Sequence, residues 1–198
     1  MRRVVLVALT LVLLSGTLAV APGQETLPRA SWGLHGAIAL PVGPSHGLDP
    51  GYQGTAFVEV PWPRAFRALR LEAIYAAVPF PAGTASDSLG QPLGELDGTV
   101  RLRAIAVNLI VRRSDRSVRP YLVAGAGVFR VNYRTEGPRT EVVTSAAVTR
   151  VGGNAGLGLE TSLRRVSLFA EARYHTVLHR GEQEELRLVP VTFGLRVR

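Results

Sequence analysis

The chain has 198 residues and no cysteine, and its formal net charge of +8 rests on 23 basic residues that are all arginines. Hydrophobic residues make up 46% of the chain and charged residues only 19%, while glycine occurs 21 times. The lack of cysteine excludes disulfides and thiolate metal sites, and the glycine-rich, charge-poor composition favours an all-β domain. The arginines are scattered singly through apolar segments, so we expect no nucleic-acid partner.

The first segment is typical of a secretory signal peptide. Residues 1–3 are basic at two positions, residues 4–14 are apolar, and small residues follow as far as Ala21. The apolar run is too short for a membrane-spanning helix. We therefore expect residues 1–24 to be a cleaved signal peptide and residues 25–198 to form the mature β-barrel domain.

From residue 31 onward, apolar and polar residues alternate with a period of two, which predicts β-strands. Eight segments show the pattern, at about 31–41, 51–62, 67–78, 98–112, 119–131, 147–160, 166–177 and 186–198. The fourth is apolar on both faces and its phase is ambiguous. Arg101 and Arg103 indicate one inward face and Asn108 indicates the other, which a β-bulge between them would reconcile.

The connections between these strands alternate in length. Those near 61–66, 113–118 and 161–165 are short, whereas those near 42–50, 79–97, 132–146 and 178–185 are longer and more polar. This alternation is typical of an up-and-down outer-membrane barrel with short periplasmic turns. A final strand needs a neighbour at each edge, so we expect it to pair with the first strand and close the barrel.

The less apolar faces of the strands carry isolated charges of both signs. The candidates for the barrel lumen are Glu59, Arg70, Glu72, Arg150, Glu160, Glu171, Arg173 and Arg196. Eight strands enclose a space that side chains just fill, and buried charges need partners. We expect Glu–Arg pairs that close the lumen as a pore. The alternative is a soluble periplasmic barrel of the lipocalin kind, with these charges in solvent and an inward apolar face that binds an apolar ligand.

Aromatic residues favour the membrane interpretation. Most of them share the phase of the apolar faces and several lie near strand ends, as the interfacial girdles of membrane barrels require. The residues concerned are Trp32, Trp62, Tyr75, Tyr121, Phe129, Tyr174 and Phe193.

Three segments make the chain resemble the small OmpA/OmpX-like outer-membrane β-barrel family. They are residues 119–128 (RPYLVAGAGV), residues 153–160 (GNAGLGLE) with 169–174 (FAEARY), and the closing strand. The resemblance covers nearly all of the mature chain. It implies an eight-stranded antiparallel transmembrane barrel in the outer membrane of a Gram-negative-type bacterium, inserted by the outer-membrane assembly machinery, with a role in envelope integrity or surface interaction. One departure is the last residue, Arg198, because the family commonly ends in an aromatic residue.

The four histidines are the candidates for catalysis or metal binding. His175 and His179 would share a strand face about 13 Å apart at ~3.3 Å per residue, too far for one metal ion. We find no compact arrangement of histidine with a nucleophile, so we predict no catalytic residues, no metal and no cofactor. His35 and His175 are interpreted as hydrogen-bonding residues of the lumen. We expect a monomer in contact with outer-membrane lipids, whose function resides in its loops; an outer-membrane enzyme acting on lipid is the alternative.

Overall fold

The structure, a computed structural model, describes residues 30–45, 47–62, 67–86, 92–113, 117–137, 140–144, 147–178 and 185–198. The predicted signal peptide, His46 and His179 lie outside these residues. The strands are β1 (Ser31–Pro41), β2 (Gly51–Pro61), β3 (Arg67–Ser86), β4 (Pro92–Arg112), β5 (Val118–Gly137), β6 (Thr140–Thr144), β7 (Val148–Leu163), β8 (Val166–Val177) and β9 (Leu186–Val197). A short 3-10 helix, Gly43–Ser45, follows β1, and none of the described helices has the length and apolar character needed to cross a membrane.

All strand pairs are antiparallel and the sheet closes on itself. The order is β4-β3-β2-β1-β9-β8-β7-β5-β6, and β4 also pairs with β5. Among the described strands, β6 pairs with β5 alone, at its end between Arg134 and Gly137, whereas β7 pairs with β5 from Val118 to Val131. β6 and β7 therefore share one position in the wall, and the barrel has eight. The predicted pairing of the last strand with the first is confirmed, with Trp32 opposite Val197.

Three strands extend further than the sequence predicted: β3, β4 and β5, the last of which continues from the predicted end at Val131 to Gly137. The segment 79–97 was expected to be a loop, but β3 continues to Ser86 and β4 begins at Pro92. Register shifts lie between Pro81 and Thr84 and between Ala85 and Ser86. These irregularities accommodate prolines that cannot donate to a regular ladder, and for the same reason the sequence did not indicate a strand there.

The ambiguous fourth segment has one continuous register. β4 pairs without a shift from Thr99 to Val111, so the expected bulge is absent from this stretch. Asn108 and the other even-numbered residues face inward and are buried, whereas Arg103 faces outward and is exposed. The inward assignment of Arg101 and Arg103 was therefore wrong.

The apolar side chains of the strands face outward. Trp32, Leu34 and Ile38 of β1 are exposed, while His35 between them is buried. The same alternation runs along β9, where Val191, Phe193 and Leu195 face outward. A soluble barrel with an inward apolar face disagrees with this orientation, because an exposed apolar wall of this extent suits lipid and not water.

The lumen has two parts. We call the side with the short β2–β3, β4–β5 and β7–β8 connections the turn end, and the opposite side the loop end. Toward the loop end the interior is an apolar cluster formed by Ala39, Ile74, Ala76, Val78, Val100, Leu102, Ala104, Ala106, Phe129, Val131, Val177, Leu186 and Leu188. Toward the turn end it holds most of the buried charges, beside a smaller cluster that includes Phe57, Tyr121 and Phe169.

Candidate functional site

The buried charges of the turn end form one group that we call the lumen network. Its members are Glu59, Arg70, Glu72, Arg112, Arg119, Tyr121, Glu160, Glu171, Arg173 and Arg196. Four of them, Glu59, Arg70, Glu72 and Glu160, are only 1% exposed. Charges so far removed from water must be compensated by their neighbours, so each contact matters.

Glu59 and Glu160 form the part of the network nearest the turn end. Arg112 lies between them, with Nη2 2.7 Å from Glu59 and Nε 3.1 Å from Glu160. Arg196 of the closing strand also joins them, at 2.5 Å from each carboxylate. Glu160 further accepts a hydrogen bond from Arg119 at 3.0 Å. Two carboxylates thus share two bridging guanidinium groups.

Glu72 and Glu171 form the second part. Arg173 donates to both oxygens of Glu72 at 2.7 Å, which is the bidentate geometry that a planar guanidinium favours, and it also contacts Glu171. The hydroxyl of Tyr121 donates to Glu171 at 2.8 Å. One arginine and one tyrosine therefore satisfy this pair of carboxylates.

Arg70 connects the two parts. Its Nη2 is 3.0 Å from Glu59, and its Nη1 lies 3.6 Å from Glu72 and 3.7 Å from Glu171. The guanidinium also lies 4.3 Å from the centre of the Phe57 ring, within the range of a cation–π contact. The network is consequently continuous across the lumen.

Strand register explains why these residues meet. Glu59 is directly opposite Arg70 in the β2–β3 ladder. Residues two apart on a strand share a face, so Arg70 and Glu72 of β3 present a positive and then a negative charge, while Glu171 and Arg173 of β8 present the reverse order. Opposite signs therefore face each other across a lumen only wide enough for side chains.

Seven of the eight residues proposed from the sequence lie in this network, and Arg150 lies apart from it. Arg150 is opposite Phe129 on β5, toward the loop end. It is six residues along β7 from Gly156, which is paired with Arg173, and a strand of that length spans about 20 Å at ~3.3 Å per residue.

Sequence reasoning missed Arg112, Arg119 and Tyr121. Arg112 has the same phase on β4 as the buried Asn108, so the correct phase of that strand would have placed it in the lumen. Tyr121 was assigned to the membrane girdle, but it is buried and faces inward, as does Phe129. Both aromatic assignments were wrong because an inward aromatic residue also fits an apolar alternating pattern.

The remaining girdle residues do face outward and are exposed. Trp32 and Trp62 lie at the turn end, and Tyr75 and Tyr174 lie toward the loop end, where Tyr52 joins them with its ring 6.5 Å from that of Tyr75. Tryptophan and tyrosine concentrate at the two interfaces of a membrane. These two levels therefore bound the apolar band of the outer wall, within which Phe193 lies.

The two described histidines are buried in the lumen. Neither ring nitrogen of His35 has a hydrogen-bond partner among the described residues, which contradicts its interpretation as a hydrogen-bonding residue. Its ring lies instead beside those of Phe57 and Phe169, at 6.0 and 5.8 Å between centres. His175 contacts Phe129 edge-on, and its Nε2 likewise lacks a partner in the described part of the chain. Aromatic surroundings do not provide the acid–base partners that activate a nucleophile.

Metal ions in proteins are bound mainly by histidine, cysteine, aspartate and glutamate side chains. In the ranges that the structure describes, no three histidine, aspartate or glutamate side chains are grouped so that they could hold a metal ion. The carboxylates that do approach one another are bound by arginines, which compete directly for the same oxygens.

Comparisons with known proteins match the fold and not the sequence. No protein-family model matches the chain, and no curated protein matches it. Among solved structures, Neisserial surface protein A (NspA) superposes with a TM-score of 0.58 at 18% identity, covering 87% of this chain and 99% of NspA. A major outer membrane protein from Thermus thermophilus superposes with a TM-score of 0.57 at 10% identity, covering 85% of this chain and 98% of that protein.

These matches agree with the closed antiparallel wall of the barrel. They span nearly the whole length of both solved structures, so the likeness concerns the complete barrel. The predicted location in a bacterial outer membrane is supported by the exterior of this barrel, because an exposed apolar wall of this extent suits lipid and not water. The chain has the fold of the small eight-stranded outer-membrane β-barrels.

Proposed function

We propose that the protein is a non-enzymatic outer-membrane barrel with a closed lumen, which acts structurally or through surface contacts made by its loop end. The observation that carries the proposal is the lumen network, in which four glutamates and five arginines meet inside the wall. Toward the loop end an apolar cluster lies in the same lumen. Ions would have to cross both regions, and neither ring nitrogen of His35 nor the Nε2 of His175 is hydrogen-bonded to a described residue.

Membrane insertion is the first part to test. We expect the protein to fractionate with the outer membrane, to require detergent for extraction, and to migrate differently on gels before and after heating, because a closed barrel resists unfolding by detergent alone. Recovery in the soluble periplasm without detergent would contradict membrane location. We expect the outer-membrane assembly machinery to insert it and the barrel to be a monomer, which depletion of that machinery and light scattering in detergent would check.

Closure of the lumen is tested by conductance in planar bilayers. The wild-type barrel should show no steady open state, because the lumen network and the apolar cluster together fill the interior that the described strands enclose. A double variant, Glu72→Ala with Arg173→Ala, removes a mutually compensating pair and should raise the leak current relative to wild type. A large steady conductance from the wild-type protein would refute closure, and heat-dependent gel migration of both proteins would establish that each is folded.

The role of the loop end is tested in cells. The pairing of β2 with β3 ends where Tyr52 is opposite Ala77, and the β3–β4 hairpin continues beyond that level. Shortening this hairpin should weaken surface contacts and leave outer-membrane permeability intact if the protein acts through its loop end. Complete removal of the protein should raise permeability to a hydrophobic dye if the barrel serves the envelope. Unchanged surface adhesion and unchanged permeability would contradict both roles.

A further inference from the structure

Three arginines on the outer wall have no partner among the residues that the structure describes. Arg101 and Arg103 of β4 and Arg130 of β5 share the outward face, and Arg103 and Arg130 are directly opposite each other in the ladder. Within the described ranges, no hydrogen bond or ion pair joins any of the three to another residue, although Arg187 elsewhere on the outer wall is paired with Glu185 at 2.6 Å. We call Arg101, Arg103 and Arg130 the outer arginine patch.

This arrangement is unfavourable unless an anion is present. Side chains directly opposite each other on neighbouring strands have Cβ atoms about 5 Å apart, and like charges there repel. Arg101 is diagonal to Arg130, at about 7–8 Å. Three guanidinium groups at these distances can bind one phosphate group. The phosphate oxygens accept paired hydrogen bonds from the planar guanidinium donors.

The height of the patch on the barrel identifies the source of the anion. Arg103 is directly opposite Tyr75, which belongs to the aromatic level at the loop end. Immediately toward the turn end, the next outward residues are Ile105 and Val128, which are 63% and 52% exposed, and apolar residues continue along β4 as far as Val111. The patch thus lies at the edge of the apolar band, where lipid headgroups and not lipid chains surround the wall.

We propose that the outer arginine patch binds the phosphate groups of anionic lipids in the outer leaflet. The inference depends on the membrane location proposed above, but not on closure of the lumen. A charge at this height can reach the polar region with its long side chain, so the membrane tolerates it, and a phosphate headgroup would supply the negative charge that the described residues do not. Free inorganic phosphate offers the same chemistry, but it would not be held at the edge of an apolar band.

The test is lipid selectivity of the folded protein in phosphatidylcholine bilayers that contain spin-labelled phosphatidic acid or spin-labelled phosphatidylcholine. The wild-type protein should enrich phosphatidic acid at its surface, and the Arg103→Gln/Arg130→Gln variant should lose that preference. Each arginine near a charged lipid surface contributes roughly 1 kcal/mol, which corresponds to about a five-fold loss of relative affinity per substitution. Heat-dependent gel migration should be unchanged, because the patch makes no ion pair within the described part of the barrel; loss of insertion in the wild type would instead refute the membrane location.

A charge-matched control is available at the opposite end of the barrel. Arg164 and Arg165 form the exposed turn between β7 and β8, and replacing both by glutamine removes the same charge. This control should keep the selectivity. An equal loss in both variants, or unchanged selectivity in the patch variant, would overturn the proposal. Displacement of the labelled phosphatidic acid by inorganic phosphate at millimolar concentration would overturn the assignment to lipid.

Discussion

The two halves of the lumen are filled in different ways. The turn end holds ten polar residues bound in one network, whereas the loop end holds a cluster of buried apolar residues. A charged network depends on every partner being present, because a single uncompensated charge is costly. An apolar cluster depends on volume, and it loses stability gradually as atoms are removed. One lumen therefore contains two different kinds of interaction.

The same difference explains the ambiguous sequence of β4. Near the turn end its inward residues include Asn108 and Arg112, but near the loop end they are Val100, Leu102 and Ala104. A strand with lipid on one side and an apolar cluster on the other is apolar on both faces. Its phase could not be assigned from alternation alone, and the outward arginines of the patch then misled the assignment.

The largest loss of stability is expected from a substitution in the lumen network. Glu59→Gln keeps the shape of the side chain but leaves Arg70, Arg112 and Arg196 without their shared carboxylate. The free energy of unfolding, from urea titration in lipid vesicles, should fall by about 3–5 kcal/mol. Glu185→Gln is the control, because it breaks an exposed pair and should leave the free energy of unfolding nearly unchanged. Equal losses in the two variants would contradict a buried network.

A comparable or slightly smaller loss of stability is expected from a substitution in the apolar cluster of the loop end. Leu102→Ala removes a buried side chain, 3% exposed, and should lower the free energy of unfolding by about 2–5 kcal/mol. Leu102 is paired with Ala76, six residues along β3 from Arg70, or about 20 Å at ~3.3 Å per residue. The Leu102→Ala and Glu59→Gln losses should therefore add to within about 0.5 kcal/mol in the double variant. A larger coupling would show that the halves are not independent.

The smallest loss of stability is expected from a substitution between the lumen network and the apolar cluster. Asn154 donates to Asn108 at 2.8 Å there, and a Cβ on Gly125 would overlap Asn108 Oδ1 and the carbonyl oxygen of Val107. Gly125→Ala should therefore cost about 1–3 kcal/mol in the same urea titration. Gly36, on the outer wall, has no described atom within 4 Å of such a Cβ, so Gly36→Ala should be neutral or slightly stabilising. If Gly125→Ala left the free energy of unfolding unchanged, β4 and β5 would have to be able to separate enough to accommodate the added methyl group.

Much of the fold could be predicted because lipid imposes a strict alternation on the wall. The outward faces of β1, β7, β8 and β9 follow from period two, and the closing pair of β1 and β9 follows from the need to remove free edges. The extensions of β3, β4 and β5 and the short β6 were not predicted. Beyond the barrel their pairing depends on neighbouring strands, and prolines and glycines there carry no strand signal.

Most members of the candidate site were predicted from the sequence, but not all of them. Opposite charges at inward positions indicated ion pairs, and Glu72 and Arg173 do lie 2.7 Å apart. Arg150 also faces inward, but it lies at a different height along the barrel axis. The alternation within a strand predicts which face a residue lies on, and it does not predict that height. His35 lacks hydrogen bonds to the described residues because two aromatic rings, from β2 and β8, lie beside it. Neither result is contained in the sequence of one strand.

The amino-acid sequence by itself determined the alternation of every strand except β4, the number of positions in the wall and the presence of inward charges, because these depend on local geometry and on the solvent at each face. Only the tertiary structure decided which charges share a level of the lumen. It also decided that an apolar cluster lies inside the loop end and that Arg103 is opposite Arg130 on the outer wall. Such contacts depend on register between strands distant in sequence, and closure of the barrel sets that register for all strands together.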